Sequence, residues 1–124
     1  MENQNKFGEL FKSFRIRLGI TLREFCLRNH LDAGNISRIE RGLASPPQTE
    51  EGLKKFALAL NLKEGTSDWR QFMDVGFANN GKIPDDIMSD SKLVDKLPIF
   101  FRAIRNKLPK DEQLNALLKK IREA

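Results

Sequence analysis

Two helix starts eleven residues apart, Thr21 and Asp32, constrain the fold of this chain more than any other feature of its sequence. Thr21 is followed three residues later by Glu24, the spacing of a capping box. The threonine hydroxyl and the glutamate carboxylate there satisfy each other's backbone amides. Phe25 and Cys26 fall on the inner side of the helix so opened, which should finish near Asn29. Leu31 begins a short turn. Asp32 is a good N-cap for the next helix, with Ile36 and Ile39 inward and Gly42 as its C′ stop. Two helices joined by a turn of three or four residues cross at a wide angle, which lets the second protrude. Cys26 supplies a small side chain where the two must approach closely.

The flanking segments are helical as well. Phe7, Leu10, Phe11, Phe14 and Leu18 recur at i, i+3, i+4, i+7 and i+11, which is one helical face, and Gly19 follows as its stop. Pro46-Pro47 forces a loop over Ala44–Gln48, because consecutive prolines remove amide donors and fix φ. A fourth helix starting at Gln48 or Thr49 carries Leu53, Phe56, Ala57 and Leu60, and Asn61 ends it. A fifth, capped within Thr66-Ser67-Asp68, turns Trp69, Phe72 and Met73 inward. Asn79-Asn80-Gly81-Lys82-Ile83-Pro84 is the clearest break in the chain. The expected fold class is therefore all-α, with residues 1–78 as one domain and 79–124 as a C-terminal extension of two to three short helices. In that extension Leu93, Leu97, Phe100, Phe101, Ile104 and Leu108 keep helical spacing, but Pro98 interrupts them. A short turn before Pro98 and a helix starting at it are expected, since proline suits a first helical position. Leu108-Pro109 then separates a last helix striped by Leu114, Leu117, Leu118 and Ile121.

Composition narrows the function class by exclusion. No apolar run approaches the roughly 18 residues of a membrane span. The first six residues are polar and lack a signal-peptide stretch, so the expected location is cytoplasmic and no membrane partner is expected. The single cysteine excludes an internal disulfide and a cysteine-based zinc site. One histidine, no glycine-rich phosphate loop and no Ser/His/Asp set leave no catalytic constellation, metal site or cofactor to propose. Asp85-Asp86 and Asp111-Glu112 read as loop and cap residues. The net charge of +5 permits a nucleic-acid partner without identifying one. Residues 1–62 carry ten basic and seven acidic groups, and residues 63–124 twelve and ten, so the excess is mild and spread out.

The motif is more specific than the charge. With Ile36 and Ile39 beneath, Ala33, Gly34, Asn35, Ser37, Arg38 and Arg41 distribute over the outer face and flanks of the third helix. Asparagine pairs bidentately with adenine and arginine with guanine O6 and N7, so Asn35 and Arg38 suit base edges. Ala33 and Gly34 are small enough to bring backbone close to bases. Residues 7–60 resemble the lambda-repressor-like helix-turn-helix family, in its Cro/cI or xenobiotic-response-element branch. The resemblance is carried by Arg15-x-x-x-Gly19-x-Thr21-x-x-Glu24-Phe25-Cys26, by Ile36-Ser37-Arg38-Ile39-Glu40-Arg41-Gly42 and by Pro46-Pro47. It implies a five-helix DNA-binding bundle, a homodimer and a palindromic operator on double-stranded DNA. It also implies roles by position: Ala33, Gly34, Asn35 and Arg38 at bases; Thr21, Ser37, Arg41, Ser45 and Gln48 at phosphates; and Arg15 paired with Glu40 as scaffold. The chain departs from the pattern at His30, where glycine is usual, at Leu22, where glutamine is usual, and at Ala33-Gly34, where a polar pair is usual.

Plainer readings compete at several positions. Cys26 reads as a small core residue rather than a redox switch. His30 reads as a residue tolerating a left-handed turn rather than as a pH sensor. Trp69 and Phe72 read as core rather than as a ligand pocket. Leu97, Phe100, Phe101 and Ile104 beside Arg102 and Arg105 resemble a basic amphipathic helix, but Asp85, Asp86, Asp90 and Asp95 would repel anionic lipid. Two amphipathic segments of this size make little core alone. Leu97, Phe100, Phe101, Ile104, Leu114, Leu117, Leu118 and Ile121 are therefore the expected interaction surface. The resemblance offers two uses for it: dimerisation in a plain repressor, or toxin binding in an antitoxin of the HigA type that also represses its own operon. A protein-interaction module without DNA binding is the third alternative.

Overall fold

Threonine or aspartate caps stand at the starts of the four helices that follow the first. In the computed structural model, which describes residues 6–107 and Lys119, Thr21 Oγ1 accepts from the Glu24 amide at 3.1 Å, Asp32 Oδ2 from Asn35 at 2.8 Å and Thr49 Oγ1 from Gly52 at 3.0 Å. Thr66 Oγ1 accepts from the Trp69 amide at 3.3 Å and donates to the Lys63 carbonyl at 2.6 Å. Each takes up an amide that a helix start leaves without an internal partner. The helices so opened are α2 (Leu22–Asn29), α3 (Ala33–Glu40), α4 (Glu50–Ala59) and α5 (Ser67–Asn79). They follow α1 (Lys6–Arg17) and precede α6 (Asp85–Met88) and α7 (Ser91–Lys107). The described residues contain no strand, so the architecture is all-α. The chain forms two compact units divided between Asn79 and Asn80. No helix among the described residues is long and apolar enough to cross a membrane.

In the first unit, α1 packs on α3 and α5, α2 on α3, and α4 on α5. Their apolar faces meet in one core containing Phe7, Phe11, Phe14, Phe25, Ile36, Ile39, Leu53, Phe56, Trp69 and Phe72. Phe11 is its hub. Its ring lies edge-on to Phe25 of α2 at 5.6 Å and to Phe56 of α4 at 5.4 Å, and tilted to Phe72 of α5 at 6.2 Å. Such pairs contribute about 0.5–1.5 kcal/mol each beyond the burial of area. Close approach of α4 and α5 depends on Gly76, where an added Cβ would lie 2.6 Å from Leu53 Cδ2.

In the second unit, α6 packs on α7. Here the expected break at Pro98 is overturned. The helix runs without interruption from Ser91 to Lys107 with Pro98 inside it, so the extension is not made only of short helices. Proline there withholds an amide from the Val94 carbonyl and crowds it, at a cost of about 3 kcal/mol. The apolar stripe nonetheless keeps one phase across it: Val94, Leu97, Phe101 and Ile104 are all half-buried. Covering one continuous face outweighs the local penalty. Asp85 and Asp86, read as loop or cap residues, form the first turn of α6, with Pro84 preceding it and no side-chain cap. The expected last helix, with Leu114, Leu117, Leu118 and Ile121, lies outside the described residues.

Candidate nucleic-acid interface

The site is built on the connection between α2 and α3, which is only residues 30–32. The end of α2 requires a left-handed residue, and His30 adopts φ 56 and ψ 45. Histidine enters that region more readily than most side chains, which explains its presence where glycine would be the simpler choice. The Leu31 amide then closes the turn on the Cys26 carbonyl at 2.9 Å. Asp32 follows at once as N-cap, so α3 starts in a direction set by backbone hydrogen bonds rather than by a free linker. Leu22 is half-buried and packs against the core. An apolar residue stands there because the position is partly interior.

The back of α3 is anchored. Ile36 and Ile39 are buried, and Glu40 is clamped by Arg15 of α1. Arg15 Nε donates to Glu40 Oε2 at 2.7 Å and Nη2 to Oε1 at 3.0 Å, a bidentate pair whose side chains are 9% and 7% exposed. Arg15 Nη1 also donates to the Ile20 carbonyl at 3.2 Å. One guanidinium thus joins α1, the α1–α2 connection and the end of α3. Its hydrogen bonds to Glu40 raise the Arg15 pKa above its ordinary value, against the opposing effect of burial. Cys26 is 3% exposed in the core. Burial raises its thiol pKa, the Glu40 carboxylate adds to this, and the Arg15 guanidinium opposes it. The thiol therefore stays protonated and inert at neutral pH.

The front of α3 is open. Gly34, Asn35 and Arg38 are exposed, while Ser37 is half-buried. Ala33 is also half-buried and packs partly on the core, so only part of its methyl faces outward. Among the described residues, the Arg38 guanidinium has no hydrogen bond or ion pair; Nη1 lies 3.8 Å from the position a Cβ on Gly34 would take. Arg41 behaves differently. Its Nε donates to the Ser37 carbonyl at 3.3 Å, so it lies along the C-terminal turn of α3, where the helix dipole favours a cation. Gly42, at φ 78, then reverses the chain, and Leu43 donates to the Arg38 carbonyl at 2.7 Å.

Thr21, Ser45 and Gln48 surround this face in sequence and are all exposed. Thr21 uses its oxygen lone pair as the α2 cap, which leaves the hydroxyl proton for a donor role. Gln48 Nε2 donates to the Pro46 carbonyl at 3.4 Å. Ser45 lines a hollow of about 170 Å3 together with other residues of the 42–46 loop, Phe7, Gly8 and Asn79. Two features of the site escape sequence reading. Arg41 folding onto Ser37 depends on a backbone carbonyl, which no residue pattern displays. Asp32, read only as a cap, also shares the outer face with Arg38; its capping role is legible and its neighbour is not.

Chemically, the arrangement presents one unpaired guanidinium, one exposed amide side chain and bare backbone on a rigid helix. Among the described residues no group of three or more His, Cys, Asp or Glu is placed to hold a metal ion. Comparison with family models, curated proteins and solved structures returned no significant match for this chain.

Proposed function

We propose that this chain is a sequence-specific double-stranded-DNA-binding regulator of the lambda-repressor-like type, acting as a homodimeric repressor on a palindromic operator. The observation that carries the reading is the contrast between the two sides of α3. Its back is fixed by Ile36, Ile39 and the Arg15–Glu40 pair, while its front offers Asn35 and an Arg38 that no group among the described residues satisfies. A helix held rigidly with a hydrogen-bonding front suits the major groove. In this reading Asn35 and Arg38 contact base edges, with Gly34 and the exposed part of Ala33 permitting close approach. Thr21, Ser37, Arg41, Ser45 and Gln48 contact phosphates. Arg41 keeps both Nη groups for that purpose while Nε holds its stem on the helix. No catalysis and no cofactor enter into the function.

Residues 79–124 serve in this reading as the dimerisation arm. A second use, toxin binding by an autoregulating antitoxin, draws on the same observation: Ile99 and Phe100 on α7 are 66% and 57% exposed. Apolar groups of that size, so exposed, suit a partner surface. Leu97, Phe101 and Ile104 flank them and are half-buried.

The test is selection of bound sequences from random duplexes, followed by salt titration of the winner. Affinity should fall linearly in log–log form with salt, and one palindrome should survive competitor DNA. Arg38→Ala should erase preference at one base pair per half-site, while Arg41→Ala should weaken all sequences about equally. A chain that binds no duplex at low salt is a protein-interaction module instead.

A further inference from the structure

The outer face of α3 carries an opposite charge beside Arg38 that the contacts above leave unused. Asp32 Oδ2 lies 3.5 Å, and Arg38 Nη1 3.8 Å, from the single point where a Cβ on Gly34 would sit. Carboxylate and guanidinium therefore flank one gap, and the floor of that gap is bare backbone. Asp32, Gly34 and Arg38 are all exposed. Oδ2 accepts the Asn35 amide. Among the described residues, neither Oδ1 nor the guanidinium has a hydrogen bond or ion-pair partner.

Capping alone does not select aspartate here, because asparagine and serine cap equally well. The helix dipole favours the charge slightly in the free protein. Against a polyanion, however, a carboxylate at the reading end of the helix is repelled unless it meets a hydrogen-bond donor. In the major groove those donors are the cytosine N4 and adenine N6 amines. The acceptors that suit a guanidinium are guanine O6 and N7. Only a G·C pair sets the guanidinium's acceptors and the carboxylate's donor side by side on one edge.

We propose that Asp32 and Arg38 read one G·C pair together across the Gly34 gap, with Arg38 on guanine O6 and N7 and Asp32 Oδ1 on the cytosine N4 amine. The inference rests on the DNA-binding reading and adds a specificity-determining residue to it. Asp32 acts in both directions. It accepts from cytosine, and it rejects any pair that turns thymine O4 or guanine O6 toward it. Gly34 leaves the space that the base-pair edge occupies.

The experiment is selection from random duplexes with the wild-type chain, Asp32→Asn, Arg38→Ala and the double variant. Asparagine keeps the cap, so the fold survives, and thermal melting of each variant checks that it does. Asp32→Asn should lower the G·C preference about tenfold at the same position that Arg38→Ala erases. It should also tighten binding to random-sequence competitor, since a repelled charge is gone. The double variant should differ from wild type at that one position and at no other, the signature of two groups on one pair. An Asp32→Asn profile identical to wild type overturns the inference and leaves DNA binding standing, as does a loss at a different position from that of Arg38→Ala. A wild-type chain that binds no duplex overturns the DNA-binding reading, and this inference with it.

Discussion

The Arg15–Glu40 pair makes a quantitative claim that can be tested without any DNA. Replacing Glu40 by leucine strands a buried guanidinium with one of its three hydrogen bonds, that to the Ile20 carbonyl. Replacing Arg15 by leucine strands a buried carboxylate and removes the donor from Ile20. Removing one partner of a buried pair costs about 3–5 kcal/mol, chiefly because the other is left charged in a poor solvent. For a folding unit of this size, that corresponds to a fall in Tm of about 15–30 °C. The double Leu variant leaves no charge behind, and well-packed apolar replacements of buried pairs are near neutral, so it should sit within about 2 kcal/mol of wild type. Urea unfolding followed by far-ultraviolet circular dichroism measures all four corners of the cycle. The expected coupling is at least about 3 kcal/mol, in the sense that the second substitution repairs the first. Two results would refute the reasoning: a single variant losing less than about 1 kcal/mol, or a double variant no more stable than the worse single. Either would mean that water reaches the pair and that α3 is anchored by Ile36 and Ile39 alone.

Other consequences follow from single positions. Gly34→Ala has only ordinary contacts to meet, so it should stabilise the fold by about 0.5–1 kcal/mol in thermal melts, while weakening selected-duplex binding, because the added methyl enters the space proposed for the base-pair edge. The Cys26 thiol is raised by burial in the fold, so the unfolded chain ionises first. Stability should be flat below the ordinary cysteine range and fall as pH rises through it, from about pH 8 upward. Cys26→Ala should lack that part of the slope in paired urea titrations across the same pH range. Pro98→Ala restores an amide for the Val94 carbonyl and should stabilise α7 by about 1–3 kcal/mol, visible as a higher melting point of helical signal; an unchanged melt would mean that the proline is not inside the helix in solution.

The fold was legible wherever a local rule and the packing agreed. Thr21, Asp32 and Thr49 cap their helices by the side-chain bonds that the spacing suggests, and the 3.6-residue periodicity picks out Phe11, Phe25, Phe56 and Phe72 as interior. Legibility failed where the two disagreed. At Pro98 a strong local breaker met an apolar stripe of constant phase, and the stripe prevailed. At Asp85-Asp86 the acidic pair, read as loop and cap residues, stands in the first turn of a four-residue helix that has no side-chain cap, so its start was only weakly marked. In the candidate site, the inward anchors Ile36 and Ile39 and the outward Asn35 and Arg38 could be sorted by periodicity. The lie of Arg41 along Ser37 and the Asp32–Gly34–Arg38 arrangement could not, because both depend on rotamers and backbone oxygens that sequence spacing does not encode.

Trp69 has a practical consequence beyond the core it fills. It is the chain's only tryptophan, it is 6% exposed on α5, and the sequence contains no tyrosine. All long-wavelength protein fluorescence therefore originates in the first unit, while residues 80–124 contribute none. Emission from Trp69 reports the melting of the first unit alone, whereas circular dichroism reports both, since α7 is itself helical. Recording the two signals in one denaturation divides the chain optically at Asn79. Coincident curves would identify one cooperative folding block, and separated curves two blocks that unfold independently.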